Sequence, residues 1–262
     1  MSWLQVCYEY DGSFEGFLTC VFESYSYHEE PACFQGPEEL CYTLWPARRI
    51  ETDREKAARV YRSLDARLGR GASRLVYRAF LTCLEGREGH IYRFLQYGYR
   101  RGRGVMGELG HPLVSVLNKA VYHLEHEAHL YTGFARFSDY RGVLLGEIEP
   151  KNRVLPLVRG HFTQRYHGEQ FLLYDRTHRE ALVYRPGQWT IAAVDGLTLP
   201  QAEEEELKYR QLWRRFFDTV AIEARRNPRC QNTHLPKRFR RQMTEFQGED
   251  GTAGMGQALT ER

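Results

Sequence analysis

The period of the apolar residues changes once along this chain, and that change restricts the folds open to it. From Phe14 to Leu124 apolar side chains recur at helical spacing; from Tyr131 to Val194 they alternate. A strand over residues 3–9 and the turn Tyr10-Asp11-Gly12-Ser13 precede a helix carrying Phe14, Phe17, Leu18, Val21, Phe22 and Tyr25. Residues 28–38 read as a loop and 39–44 as a short strand. Thr52-Asp53-Arg54-Glu55 has the form of a capping box before Val60, Tyr61, Leu64 and Leu68. Helices are predicted over 73–84 and 89–99. Another starts at Pro112, with Leu113, Val116, Leu117, Ala120 and Leu124 as its stripe.

The alternating part predicts strands over 131–137, 143–148, 171–174, 181–184 and 189–194, with one short helix over 154–166. A long helix over 202–225 stops at Asn227-Pro228, and a short basic helix follows Pro236. The expected architecture is α+β: a helix-rich N-terminal part, a mostly antiparallel central sheet and basic C-terminal helices. The whole of 1–246 reads as one domain. The Gly-rich polar stretch 247–262 reads as a disordered tail.

Charge is the main pointer to function, and it is local. The formal net charge is only +3. Yet residues 207–241 hold eleven Lys or Arg and two acids, Asp218 and Glu223. Aromatics are interleaved, as in Leu212-Trp213-Arg214-Arg215-Phe216-Phe217, and a polyanion is the natural partner of such a segment. On a helical wheel Tyr209, Trp213, Phe216, Phe217, Val220 and Ala224 share one arc, with Lys208, Arg214, Arg215, Arg225 and Arg226 roughly opposite. The expectation is an apolar face packed on the sheet and an Arg face turned outward. Arg214, Arg215, Arg225, Arg226, Arg229, Lys237, Arg238 and Arg241 are the candidate phosphate contacts. Arg100 and Arg101 join them from a second basic stretch over 70–103. Arg suits this role because its fork binds phosphate and its plane stacks. Phe239, Tyr97 and Tyr99 are candidate rings for unpaired bases. An ordinary solvated charged face is the alternative, and Arg225 and Arg226 are also explained by the helix dipole at a C-terminus.

A second constellation is polar. Continuing the stripe of Leu117, Ala120 and Leu124 by one step lands on Glu127. A carboxylate on a core line needs a partner, and Arg136 is the expected one. Glu127, His129, Asp175 and Arg176 form the candidate catalytic set of an alternative glycosylase- or nuclease-like enzyme, against a structural Glu–Arg pair and a polar hairpin. His123, His126 and His129 lie three apart rather than the i, i+4 of helical zinc motifs, so no metal is expected. No cofactor is expected either: the chain holds no phosphate-cradling Gly loop, no GxSxG and no iron–sulfur CxxxCxxC. Cys7, Cys20, Cys33, Cys41, Cys83 and Cys230 show no ligand spacing and read as reduced thiols. With no run of about 20 apolar residues and no basic leader, a cytoplasmic protein without membrane contact is expected.

These segments in this order resemble the DUF4130 family, whose members are described as DNA-metabolism proteins. The resemblance runs from Tyr10 to about Glu245. It rests on Tyr10-Asp11-Gly12-Ser13-Phe14-Glu15-Gly16-Phe17-Leu18, on Glu127-Ala128-His129 with Gly133-Phe134-Ala135-Arg136-Phe137, and on Glu149-Pro150 and Val154-Leu155-Pro156-Leu157. His161-Phe162, Tyr174-Asp175-Arg176, Asn227-Pro228-Arg229 and Pro236-Lys237-Arg238-Phe239 complete it. The resemblance implies pairing with a radical-SAM protein of DNA modification or repair. The expected function is that of an accessory protein that binds DNA through its Arg-rich surface.

Overall fold

The computed structural model describes residues 3–37, 43–197, 204–220, 222 and 227–246. The chain is α+β, as the change of period requires. It packs as two compact units, Met1–Glu125 and His126–Arg262. The stretch 247–262 lies outside the described residues.

The first unit holds three parallel strands in the order β2-β1-β3: β1 Leu4–Glu9, β2 Glu29–Gln35 and β3 Ala47–Arg49. Helix α1, Phe14–Tyr27, connects β1 to β2. Its start explains the Tyr10–Gly16 motif. Ser13 caps the helix by accepting from the Gly16 amide. Asp11 Oδ1 accepts from the Ser13 amide and hydroxyl at 2.9 and 2.7 Å, and Asp11 Oδ2 accepts from Thr52 Oγ1 at 2.7 Å. A Cβ on residue 16 would stand 2.2 Å from Asp11 Oδ1, so that position has room only for glycine. Helix α2, Arg54–Leu68, is capped by Asp53 rather than Thr52, because Thr52 already serves Asp11. Helices α3, Ala72–Phe80, and α4, Arg87–Arg101, complete a core around Phe17, Leu64, Leu68, Ile91, Phe94 and Leu95.

Two expectations about this unit are corrected. The loop expected over 28–38 is largely strand β2. Its buried Glu29 is held by the Tyr8 hydroxyl at 2.8 Å and by Arg48 at 2.7 Å, which makes a charged residue compatible with an inner position. The cysteines are not all thiols. Cys7 and Cys33 face each other in the β1–β2 register, 4.8 Å apart at Cα, and are joined as a disulfide. Cys20, Cys83 and Cys230 take part in no disulfide among the described residues. Most of the strand expected over 39–44 lies outside the described residues.

Helix α5, Pro112–Phe134, begins in the first unit and ends in the second. It takes in the residues 131–134 expected to be strand. Ala128 and Tyr131 continue the helical spacing of buried Val121 and Leu124, and burial outweighs the local strand preference.

The second unit is built on a five-stranded sheet in sequence order: β4 Phe137–Tyr140, β5 Val143–Ile148, β6 Gln170–Asp175, β7 Glu180–Arg185 and β8 Gln188–Ala193. Neighbours are antiparallel except β5 and β6, which run parallel. Helix α6, Leu155–Arg165, makes that parallel crossover, and its Phe162 packs on Phe137. Helices α7, Glu204–Val220, and α8, Pro228–His234, follow, then 3-10 turns over Lys237–Gln242 and Thr244–Phe246.

Candidate nucleic-acid interface and buried polar cluster

Helix α7 is attached through Glu206 and Arg210, which stand seven and three residues before Trp213 and so lie on the same side of the helix as its ring. Glu206 accepts from the Asp139 amide at 3.3 Å, and Arg210 donates to Ser138 Oγ at 2.7 Å and pairs with Glu206 at 2.9 Å. The apolar arc beside them is largely open: Tyr209 is 62 % exposed, Trp213 43 % and Phe216 56 %, and Leu212 and Val220 are exposed too. The apolar arc is thus not packed away as expected, whereas Lys208 and Arg215 are exposed as expected. Glu206 and Arg210 hold the helix to β4, and the aromatic face beside them meets solvent. One edge of that face touches the last 3-10 turn, where Trp213 Nε1 donates to Glu245 Oε2 at 3.2 Å and Phe217 meets Phe246.

The candidate phosphate contacts divide. Arg215, Arg229 and Lys237 are exposed. Arg238 pairs with Glu127 at 3.0 Å and Arg241 with Glu149 at 3.3 Å, so part of their charge is already met. Arg214 is half-buried and its Nε reaches the Arg210 carbonyl at 3.4 Å. Arg225 and Arg226 lie outside the described residues. In the first unit Arg100 is exposed and donates to the Gln96 carbonyl, and Arg101 is paired with Glu108.

The rings proposed for stacking are otherwise engaged. Phe239 is 2 % exposed and packs against Tyr131 and Phe134. Tyr97 stacks on His111 with 4.1 Å between centroids and donates to Glu108 at 2.5 Å. Tyr99 shares a hydrogen bond with Ser63 at 2.7 Å. Exposed rings among the described residues include Tyr209, Trp213 and Phe216 of α7, and also Tyr27, Tyr122 and Trp189 elsewhere.

Glu127 is buried, as its place on the stripe requires, but Arg136 is not its partner. Its Oε1 accepts from the Lys151 amide at 3.0 Å and from Arg238. Its Oε2 accepts from the Asn152 amide at 2.9 Å and from Asn152 Nδ2 at 2.6 Å. Four donors meet four lone-pair directions, which is the saturated state of a structural carboxylate. Arg136 instead pairs with Glu245 at 2.6 Å. Asp175, wholly buried at the carboxyl end of β6, takes the His178 amide at 3.1 Å and His178 Nδ1 at 2.7 Å. Burial and then Glu127 push the Tyr131 phenol upward; Arg238 pulls it down and Asp175 raises it further. Glu127, Asp175 and Arg238 thus act on one buried ring. Arg176 is exposed and bridges Glu147 and Glu149, at 2.9 and 3.3 Å. His129 is exposed on α5. Sequence reading missed Tyr131, Asn152 and His178. Tyr131 and His178 stand close in sequence to Glu127 and Asp175, whereas Asn152, 25 residues from Glu127, carries no such signal.

Glu245 supplies a pH test. Burial raises its carboxyl, but the Arg136 hydrogen bonds, the Arg136 charge and the Trp213 indole outweigh that and hold it below the usual value. A carboxylate lowered on folding stabilises above its unfolded pKa, and the gain is lost as pH falls through the folded pKa. Glu245→Gln should therefore melt below the parent protein at pH 7, and the two should converge in acid. A gap that persists unchanged at pH 2–3 would reject the ionic account.

Comparison with protein-family models finds a domain of unknown function, DUF4130, over residues 85–245. The chain belongs to the DUF4130 family. The match takes in Glu127, Asp175 and the whole of 207–241; the Tyr10–Leu18 motif lies before it. Comparisons with curated proteins and with solved structures find no match. No helix among the described residues is long and apolar enough to cross a membrane.

Proposed function

We propose that this DUF4130 protein is a nucleic-acid-binding accessory factor of DNA metabolism that acts beside a catalytic partner. Exposed cations and exposed rings on the C-terminal segment carry the reading: Arg215, Arg229 and Lys237, and Tyr209, Trp213 and Phe216. The cations meet phosphates, a sequence-independent term that weakens with salt. The saturated state of Glu127 supports an accessory role over a catalytic one, since a carboxylate holding four donors has no position left for a substrate proton. The family resemblance is the ground for naming a radical-SAM protein of DNA modification or repair as the partner.

The test is fluorescence anisotropy with labelled DNA between about 50 and 200 mM salt. Arg215→Ala with Lys237→Ala should weaken binding alike for all sequences. It should also flatten the slope of log K against log salt by ~0.7–0.9 per lost contact. An unchanged affinity and slope would remove these residues from the interface.

A further inference from the structure

We propose that the Cys7–Cys33 disulfide is a reversible redox lock on the first unit, opened by a small thiol reductant of the glutathione kind. The proposal concerns the first unit alone and does not depend on the nucleic-acid reading. The pairing is built into the register of the sheet. Val6 of β1 faces Pro31 of β2, and the next residue, Cys7, faces Cys33. Ala32 is passed over as an extra residue on β2. Such a bulge interrupts the ladder, re-aims the side chains beside it and is rare between parallel strands. Without it Cys7 would stand opposite Ala32. The extra residue therefore brings Cys33 to Cys7.

The two sulfurs differ in access, and that sets the order of exchange. Cys7 is wholly buried on the middle strand, where its amide donates to the Pro46 carbonyl at 2.9 Å. Cys33 is half-buried on the outer strand. A thiolate therefore attacks Cys33 Sγ and forms a mixed disulfide with it. The Cys7–Cys33 bond breaks, its electron pair goes to Cys7 Sγ, and that sulfur takes up a proton from solvent. A second reductant thiolate attacks the first one's sulfur and releases Cys33, which is protonated in turn. Two small thiols are thereby oxidised to one disulfide, and the protein disulfide is reduced to two thiols. The oxidised form of the same reductant drives the reverse reaction. Cys20 on α1 stays outside this exchange, since burial and then the Asp11 charge push its thiol upward and keep it protonated. The bond links residues 26 apart and encloses α1. When it opens, Glu29 still holds Tyr8 and Arg48, and Phe34 still packs on Phe17 and Tyr92. The reduced unit thus keeps its fold, with β2 less firmly attached.

The test equilibrates the full chain in buffers of graded reduced and oxidised glutathione, then alkylates the thiols and maps them by peptide mass. Cys7 and Cys33 should become protected together in the oxidised buffers and reactive together in the reduced ones, in either direction of the titration. Reduction should lower the melting temperature by about 5–15 °C. It should also speed hydrogen exchange across Glu29–Gln35 and leave the second unit unchanged. Cys33→Ser should melt at the value of the reduced parent in both buffers. The titration of the parent chain needs no variant and stands if that one fails to fold. A bond that survives excess reduced glutathione would be a permanent brace and would overturn the proposal. Failure to re-form in oxidised glutathione, or linkage of Cys33 to Cys41 instead, would overturn it too. Equal melting temperatures and equal exchange in the two forms would show that the bond locks nothing.

Discussion

Glu127→Gln should destabilise the second unit by about 3–5 kcal/mol, the usual result of removing one partner from a buried ion pair. The amide keeps the shape but brings an N–H₂ against groups that all donate: the Lys151 and Asn152 amides, Asn152 Nδ2 and Arg238. At least one donor then loses its acceptor inside the protein, which is the expensive outcome for a buried polar group. The loss would be read by urea denaturation and, locally, by faster hydrogen exchange at the Lys151 and Asn152 amides. Arg238→Ala should cost less, because Arg238 keeps 40 % of its side chain in solvent and water can replace it on that side. A Glu127→Gln protein that is as stable as the parent but loses an enzymatic activity would reverse the assignment and make Glu127 a working acid.

Phe239→Ala is the second large effect, at about 3–5 kcal/mol for an aromatic removed from a packed site. The ring lies 4.9 Å from Tyr131 and 5.4 Å from Phe134, and the Arg238 guanidinium sits 4.6 Å above it. It is the apolar anchor of the 3-10 turn that carries Lys237, Arg238 and Arg241. Its removal should therefore lower the melting temperature and quicken tryptic cleavage at Lys237–Arg241. Phe239→Leu should recover most of both. DNA affinity would fall as well, through the loosened turn. A melting temperature and cleavage rate equal to the parent's would show that the ring is not an anchor.

Local signals were readable where the chain satisfies them locally. Helices α1 and α2 follow from apolar spacing and from the caps at Ser13 and Asp53. The strands β5 to β8 follow from alternation and short links. What depends on distant partners was not readable. Strand β2 carries Glu29, Glu30 and Pro31, and only the Tyr8 and Arg48 contacts explain why Glu29 sits inside. Glu127 could be placed in the core from its stripe, whereas its true partner Arg238 gives no sign near it in sequence. The wheel of α7 showed correctly that the helix has an apolar side. It could not show whether anything covers that side, and the exposure of Tyr209, Phe216 and Val220 shows that much of it is open. Phe239 was read as a surface ring because its neighbours are all basic, yet a single aromatic among cations can equally be the residue that pins them down.

Glu245 marks where the protein can be shortened or joined to something else. Its carboxylate serves two residues from separate elements, Arg136 just after α5 and Trp213 on α7. A chain stopped just after Phe246 keeps both attachments. A chain stopped at Arg241 leaves the Arg136 guanidinium and the Trp213 indole without their acceptor and frees the edge of the aromatic stripe. Expression boundaries, affinity tags and fusion joints therefore belong beyond residue 246, and a version trimmed to the last helix would be a poor proxy for the surface of the intact protein.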